Sequence, residues 1–178
     1  MTEARAPNIL AHRESNTDGA GHALLMIGED NPFGSTPEFA LYPAPRGCSG
    51  HRLMQILGLP EDAYLSIWRT NLCACGAWSM KTARKTAQIL TADPMHPWRT
   101  IVLFGRKVAD AFEYDRPFFT HGAASRTAGE LILVSLPHPS GRNAGSWSGQ
   151  APSRARQILR ELAPEVPWGS IDAKEAAA

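Results

Sequence analysis

The chain has 178 residues, 43% of them hydrophobic, which suffices for one ordinary domain to bury its core without help from metals or disulfides. Its formal net charge of +1 excludes a strongly basic, histone-like binder of nucleic acid but leaves room for a local positive stripe that follows one phosphate strand. Three cysteines, Cys48, Cys73 and Cys75, cannot all pair with one another, and none stands at zinc spacing from a second ligand, so a reduced, cytoplasmic protein without metal is expected.

The predicted elements follow in chain order. Residues 1–21 are polar and lack the apolar content to order themselves, so they are expected to be a flexible tail, with 169–178 as its C-terminal counterpart. No stretch of the sequence approaches the roughly 20 apolar residues that a membrane span needs, and no membrane partner is expected. Between the tails, 22–168 reads as one domain. Four apolar runs have strand length: His22–Gly28, Tyr64–Asn71, Thr100–Gly105 and Glu130–Leu136. The segments between them have helical patterns. Gly50–Leu57 carries apolar residues at 53, 56 and 57, Ser79 can cap Met80–Leu90, Gly105 opens Arg106–Phe112, and Ala151–Leu162 is amphipathic. Strand alternating with helix implies a three-layer α/β/α domain around a central, mostly parallel four-stranded sheet, with ligands bound outside the carboxyl ends of the strands. Trp68, Trp78 and Trp98 read as packing residues, and the basic faces at Lys81, Arg84 and Lys85 or Arg154, Arg156 and Arg160 as solvated surface.

The loops at those carboxyl ends hold the polar chemistry. After the first run comes Gly28-Glu29-Asp30-Asn31-Pro32-Phe33-Gly34, three polar side chains next to a rigid proline turn. After the second comes Asn71-Leu72-Cys73, whose strand-end amide offers both a donor and an acceptor, as reading the edge of a planar base requires. The fourth run leads into Leu136-Pro137-His138-Pro139-Ser140-Gly141-Arg142-Asn143. A His between two prolines has little backbone freedom, so its imidazole is preorganised to donate to charge developing on a bound group. The Ser-Gly that follows allows a phosphate to approach bare backbone.

These loops resemble the motifs of the uracil-DNA glycosylase superfamily. Gly28-Glu29-Asp30-Asn31-Pro32 looks like its first motif and His138-Pro139-Ser140-Gly141 like its second. With Arg142, Asn143, Gly145 and Trp147, and with Asn71-Leu72-Cys73, the likeness is greatest to the single-strand-selective monofunctional branch, and it spans residues 22–163. The resemblance implies a monomeric, cofactor-free DNA glycosylase that hydrolyses the N-glycosidic bond of a flipped uracil or 5-substituted uracil, in DNA repair by base excision. It implies that Asp30 or Asn31, with Glu29 in the same catalytic loop, handles the attacking water. Asn71 would bind the base, with stacking from Phe33, Phe39 or Tyr42, and His138 would stabilise the departing base. Ser140 and Gly141 would hold a phosphate of the DNA, and Arg142 or Asn143 would fill the gap in the base stack.

The first motif carries an extra residue, so alignment on Gly28 selects Asp30 and alignment on Pro32 selects Asn31. A carboxylate can act as a base, whereas an amide can only orient water. Glu29 also matches the iron-sulfur branch, but three cysteines cannot supply four ligands, so no cluster is expected. The covalent-trapping branch uses a loop histidine; His96 and His121 are placed in loops but lack its motif. Two other readings compete with the glycosylase: a non-catalytic nucleic-acid binder on the same fold, and a hydrolase of free nucleotides.

Overall fold

The apolar runs become strands because their side chains alternate between two buried layers. The computed structural model describes residues 23–30, 39–73, 78–92, 96–124 and 130–168; both expected tails lie outside them. In β1 (Leu24–Asp30), Leu24 and Met26 enter one core and Leu25 and Ile27 the other. β3 (Thr100–Phe104) repeats the pattern, with Val102 and Phe104 on the first face and Ile101 and Leu103 on the second. So does β5 (Leu131–Leu136), through Val134 and Leu136 against Leu131 and Leu133. Burial on both faces is what a parallel sheet covered by helices demands, and it explains why these strands read as unbroken apolar runs.

The sheet has five strands in the order β2-β1-β3-β5-β4. β2 (Trp68–Cys73) forms one edge, and β1, β2, β3 and β5 are mutually parallel. The fifth strand, β4 (Thr120–Ala124), pairs antiparallel with β5 at the other edge. The expected four-stranded sheet thus gains one strand, and His121, expected in a loop, lies on it. No residue of β4 is buried, so the strand carries no apolar pattern that could have announced it. The second strand starts later than its apolar run, because Tyr64 and Leu65 belong to a short helix, α2 (Glu61–Leu65).

Helices cover both faces, as the three-layer reading expects. On the first face α1 (Ser49–Leu57) contributes Leu53 and Leu57, α2 contributes Ala63 and Tyr64, and α5 (Ala151–Leu162) contributes Ala155 and Leu159. On the second, α3 (Met80–Ala92) contributes Ala83 and Leu90, and α4 (Arg106–Ala111) contributes Val108, Ala109 and Ala111. Ser79 caps α3 as expected, its hydroxyl accepting from the Thr82 N–H at 3.4 Å. Trp68 and Trp98 pack edge to face in the second core at 6.3 Å.

The topology fixes where a ligand can sit. The chain runs from β1 outward to β2 and then crosses back over β1 to β3, so the crevice at the carboxyl ends of β1 and β3 is a switch point. The start of α1 is pressed onto the chain at 41–42: a Cβ on Gly50 would overlap the carbonyls of Leu41 and Tyr42. Backbone cannot yield as a side-chain tip can. Gly50→Ala should therefore destabilise the protein by about 1–3 kcal/mol, read as a lower urea midpoint, whereas an unchanged midpoint would show that this contact is not tight.

Candidate active site

Two glycines let the strand ends approach one another. Gly28 of β1 is in register with Asn71 of β2, and a Cβ on Gly28 would overlap the Asn71 Oδ1, so the amide lies across bare backbone. At the end of β3, Gly105 has a φ of 98°, which only glycine adopts readily, and its N–H donates to the Leu136 carbonyl at 2.8 Å. A Cβ there would stand 3.3 Å from Oε1 of Glu29 and 3.2 Å from Cβ of His138. Gly105 thus leaves the gap in which Glu29, from β1, and His138, following β5, converge.

Glu29, Asp30, Asn71 and His138 line one cavity of about 170 Å³, room for a small planar group. The opposite wall comes from Phe39, Leu41 and Tyr42 and from the start of α1 at Cys48–Gly50. Leu41 holds a φ of 48°, a left-handed conformation unusual for leucine. Such a residue costs on the order of 1–3 kcal/mol and persists where its surroundings over-determine it. Here the buried Tyr64 hydroxyl donates to the Leu41 carbonyl at 2.7 Å, and burial pushes that phenol's pKa up. Phe39 and Tyr42 meet edge to face at 5.9 Å, and Phe39 is 45% exposed at the cavity's edge, where it can cover one face of a bound ring.

The imidazole of His138 has a defined tautomer. The Ser140 N–H donates to its Nδ1 at 3.2 Å, so in the neutral ring the proton sits on Nε2. The indole N–H of Trp147 holds the His138 carbonyl at 3.3 Å. Burial lowers the imidazole pKa below its usual value; Glu29 and Asp30 oppose that shift and Lys107 adds to it. Lys107 itself bonds Glu29 at 3.0 Å and lies over the Trp78 ring at 5.6 Å. A neutral donor, a carboxylate at Asp30, an amide at Asn71 and an aromatic cover therefore share one concavity.

Of the residues expected in the site, Glu29, Asp30, Asn71, His138, Phe39 and Tyr42 are brought together, whereas Asn31 and Phe33 lie outside the described residues. Ser140, Gly141, Arg142 and Asn143 do not line the cavity. Ser140 precedes, and the other three begin, a 3-10 segment, Gly141–Trp147, that the sequence reading did not anticipate. The Ser140 N–H is committed to His138, and its hydroxyl accepts from Nδ2 of Asn143 at 3.4 Å, so Ser140 is already engaged where a phosphate was expected. Arg142 is exposed and makes no side-chain hydrogen bond or ion pair with the described residues.

Sequence reasoning missed Gly105 as a site residue, taking it for a helix opening, and it missed Lys107, Leu41 and Tyr64. A glycine ending a strand was a usable signal for the first; the others act through contacts distant in the chain. His96, in the stretch before β3, stacks on Trp98 at 4.0 Å, away from the cavity. Among the described residues no cluster of three or more His, Cys, Asp or Glu is placed to hold a metal, Cys48 and Cys73 are free thiols, and no helix is long and apolar enough to cross a membrane. A scan against protein-family models and a search of curated proteins both give no match to the chain.

The lowered pKa of His138 has a consequence for stability. On unfolding, the imidazole regains its usual value of 6.5, so just below that pH the unfolded chain binds the extra proton and the folded chain does not. Stability should fall as pH drops through this window, and the fall should end once the folded His138 itself protonates. His138→Ala removes the effect. Urea midpoints measured from about pH 7.5 to about pH 5 should decline more steeply for the parent than for His138→Ala, whereas parallel curves would show that His138 is not buried neutral.

Proposed function

We propose that the protein is a monofunctional DNA glycosylase that hydrolyses the N-glycosidic bond of a flipped-out uracil or 5-substituted uracil, with water as the nucleophile. The observation that carries the reading is the fixed tautomer of His138 in the same cavity as Asp30 and Asn71. Base excision needs three things at one place: an edge-reading group for the base, a donor for the charge it takes away, and a group to accept the water's proton. Asn71, His138 and Asp30 fill those roles.

In the reaction, the bond between the base nitrogen and the sugar C1′ breaks and its electron pair leaves with the base. The Nε2–H of His138 donates to the pyrimidine oxygen on which that charge gathers, a bond that strengthens as the charge develops. Water bonds to C1′ and loses a proton to Asp30. Lys107, paired with Glu29, offsets a negative charge that would otherwise oppose the departing anion; as a half-exposed pair its effect is modest. Phe39 or Tyr42 stacks on the flipped ring. Arg142, exposed and unengaged by the described residues, is the better placed of the two wedge candidates, since Asn143 is tied to Ser140. The cytoplasmic location, the role in repair and the absence of a cofactor belong to the same proposal.

The test is single-turnover release of base from an oligonucleotide carrying uracil or 5-hydroxymethyluracil. His138→Ala should slow excision by about 10²–10³ with DNA affinity nearly unchanged. Asp30→Asn should slow it by about 10²–10⁴. An undiminished rate for His138→Ala would remove the catalytic reading, and an undiminished rate for Asp30→Asn would transfer the water to another residue.

A further inference from the structure

A second cavity, an open groove of about 390 Å³, lies on the other side of the turn that walls the first. Cys48–Gly50 face the base cavity, whereas their chain neighbours Arg46, His51 and Arg52 line the groove. The two sites therefore adjoin the same short stretch of backbone, one on either side of it. The far wall of the groove is Ala144 and Trp147 of the 3-10 segment, and Trp147 is the residue that holds the His138 carbonyl.

Among the described residues the groove is cationic without compensation. No carboxylate lines it, and neither Arg46 nor Arg52 forms an ion pair with the described residues. Arg52 reaches the start of the 3-10 segment, its Nη1 lying 3.5 Å from where a Cβ on Gly141 would be. An arginine fork matches the oxygens of a phosphate in both charge and shape, and a groove lined by one sign of charge concentrates the opposite sign.

We infer that this groove holds a phosphodiester of the DNA strand beside the flipped nucleotide, with Arg46 and Arg52 as its anchors. The inference rests on the glycosylase reading for the identity of the polymer. It also relocates the phosphate grip: the Ser140 amide is committed to His138, and the guanidinium next to Gly141 takes over the contact that the Ser-Gly pair was expected to make.

The test uses a fluorescent single-stranded oligonucleotide with no modified base, its affinity followed by anisotropy over a range of salt. Arg46→Glu, at an exposed position where folding is not at issue, and Arg52→Ala, checked for fold by circular dichroism, should each weaken binding by about tenfold at low salt. Each should also flatten the slope of log affinity against log salt by about 1. Lys81→Ala with Arg84→Ala, exposed on α3 across the sheet, controls for net charge. Variants that bind like the parent, or lose no more than this control, overturn the inference, as does a parent protein that does not bind the oligonucleotide. Excision by the same proteins is a separate readout. Groove-dependent binding without excision would leave the groove standing and sink the glycosylase, and excision with groove-independent binding would do the reverse.

Discussion

A backbone amide at Ser140, 3.2 Å from Nδ1 of His138, leaves Nε2 as the ring nitrogen that carries the proton in the neutral imidazole. The chemistry assigned to the cavity depends on this contact. Without it the ring could turn or take the other tautomer and present an acceptor where a donor is needed. The contact is local, two residues apart in the chain, but it is useful only because distant elements deliver the ring to the right place. Pro137 and Pro139 restrict its backbone, Trp147 holds its carbonyl, and Gly105 leaves the space it occupies.

The fold does the rest through strand ends. Parallel pairing puts the last residues of β1, β2 and β3 and the loop after β5 along one edge, and the switch between β1 and β3 opens a crevice there. Glycines at 28, 50 and 105 are the close-approach points: each sits where a Cβ would meet a residue lining the cavity. The opposite wall is held by the strained Leu41 and its buried bond from Tyr64. In the proposed reaction a cavity braced in this way would have its dipoles in place before charge develops, which is how a preorganised site stabilises an anion better than water does. The basic groove shares α1 with the cavity wall, and its Trp147 holds the carbonyl of the cavity's His138, so a strand held there would be presented to the cavity by connected elements.

Much of this was legible in the sequence. Strands β1, β3 and β5 announced themselves as apolar runs because both their faces are buried, and Glu29, Asp30, Asn71 and His138 could be placed at one edge because each follows or ends such a run. What the sequence hid follows from the same physics. β4 buries nothing and so carries no pattern. Tyr64 looked like part of a strand because an apolar run cannot distinguish a short buried helix from a strand. Lys107 reaches Glu29 across 78 positions and Tyr64 reaches Leu41 across 23, and no local pattern encodes such meetings. The engagement of Ser140 depends on how the loop turns on itself, which residue types alone do not specify.

The most direct measurement is heteronuclear NMR of the His138 ring nitrogens in the free protein, followed through a pH titration. A neutral ring with its proton on Nε2, an unprotonated Nδ1, and a titration below the usual 6.5 of imidazole is the expected result. A proton on Nδ1 in the neutral ring, or a titration above the usual value, would contradict the assignment of His138 as a neutral donor and with it the chemistry built on the cavity.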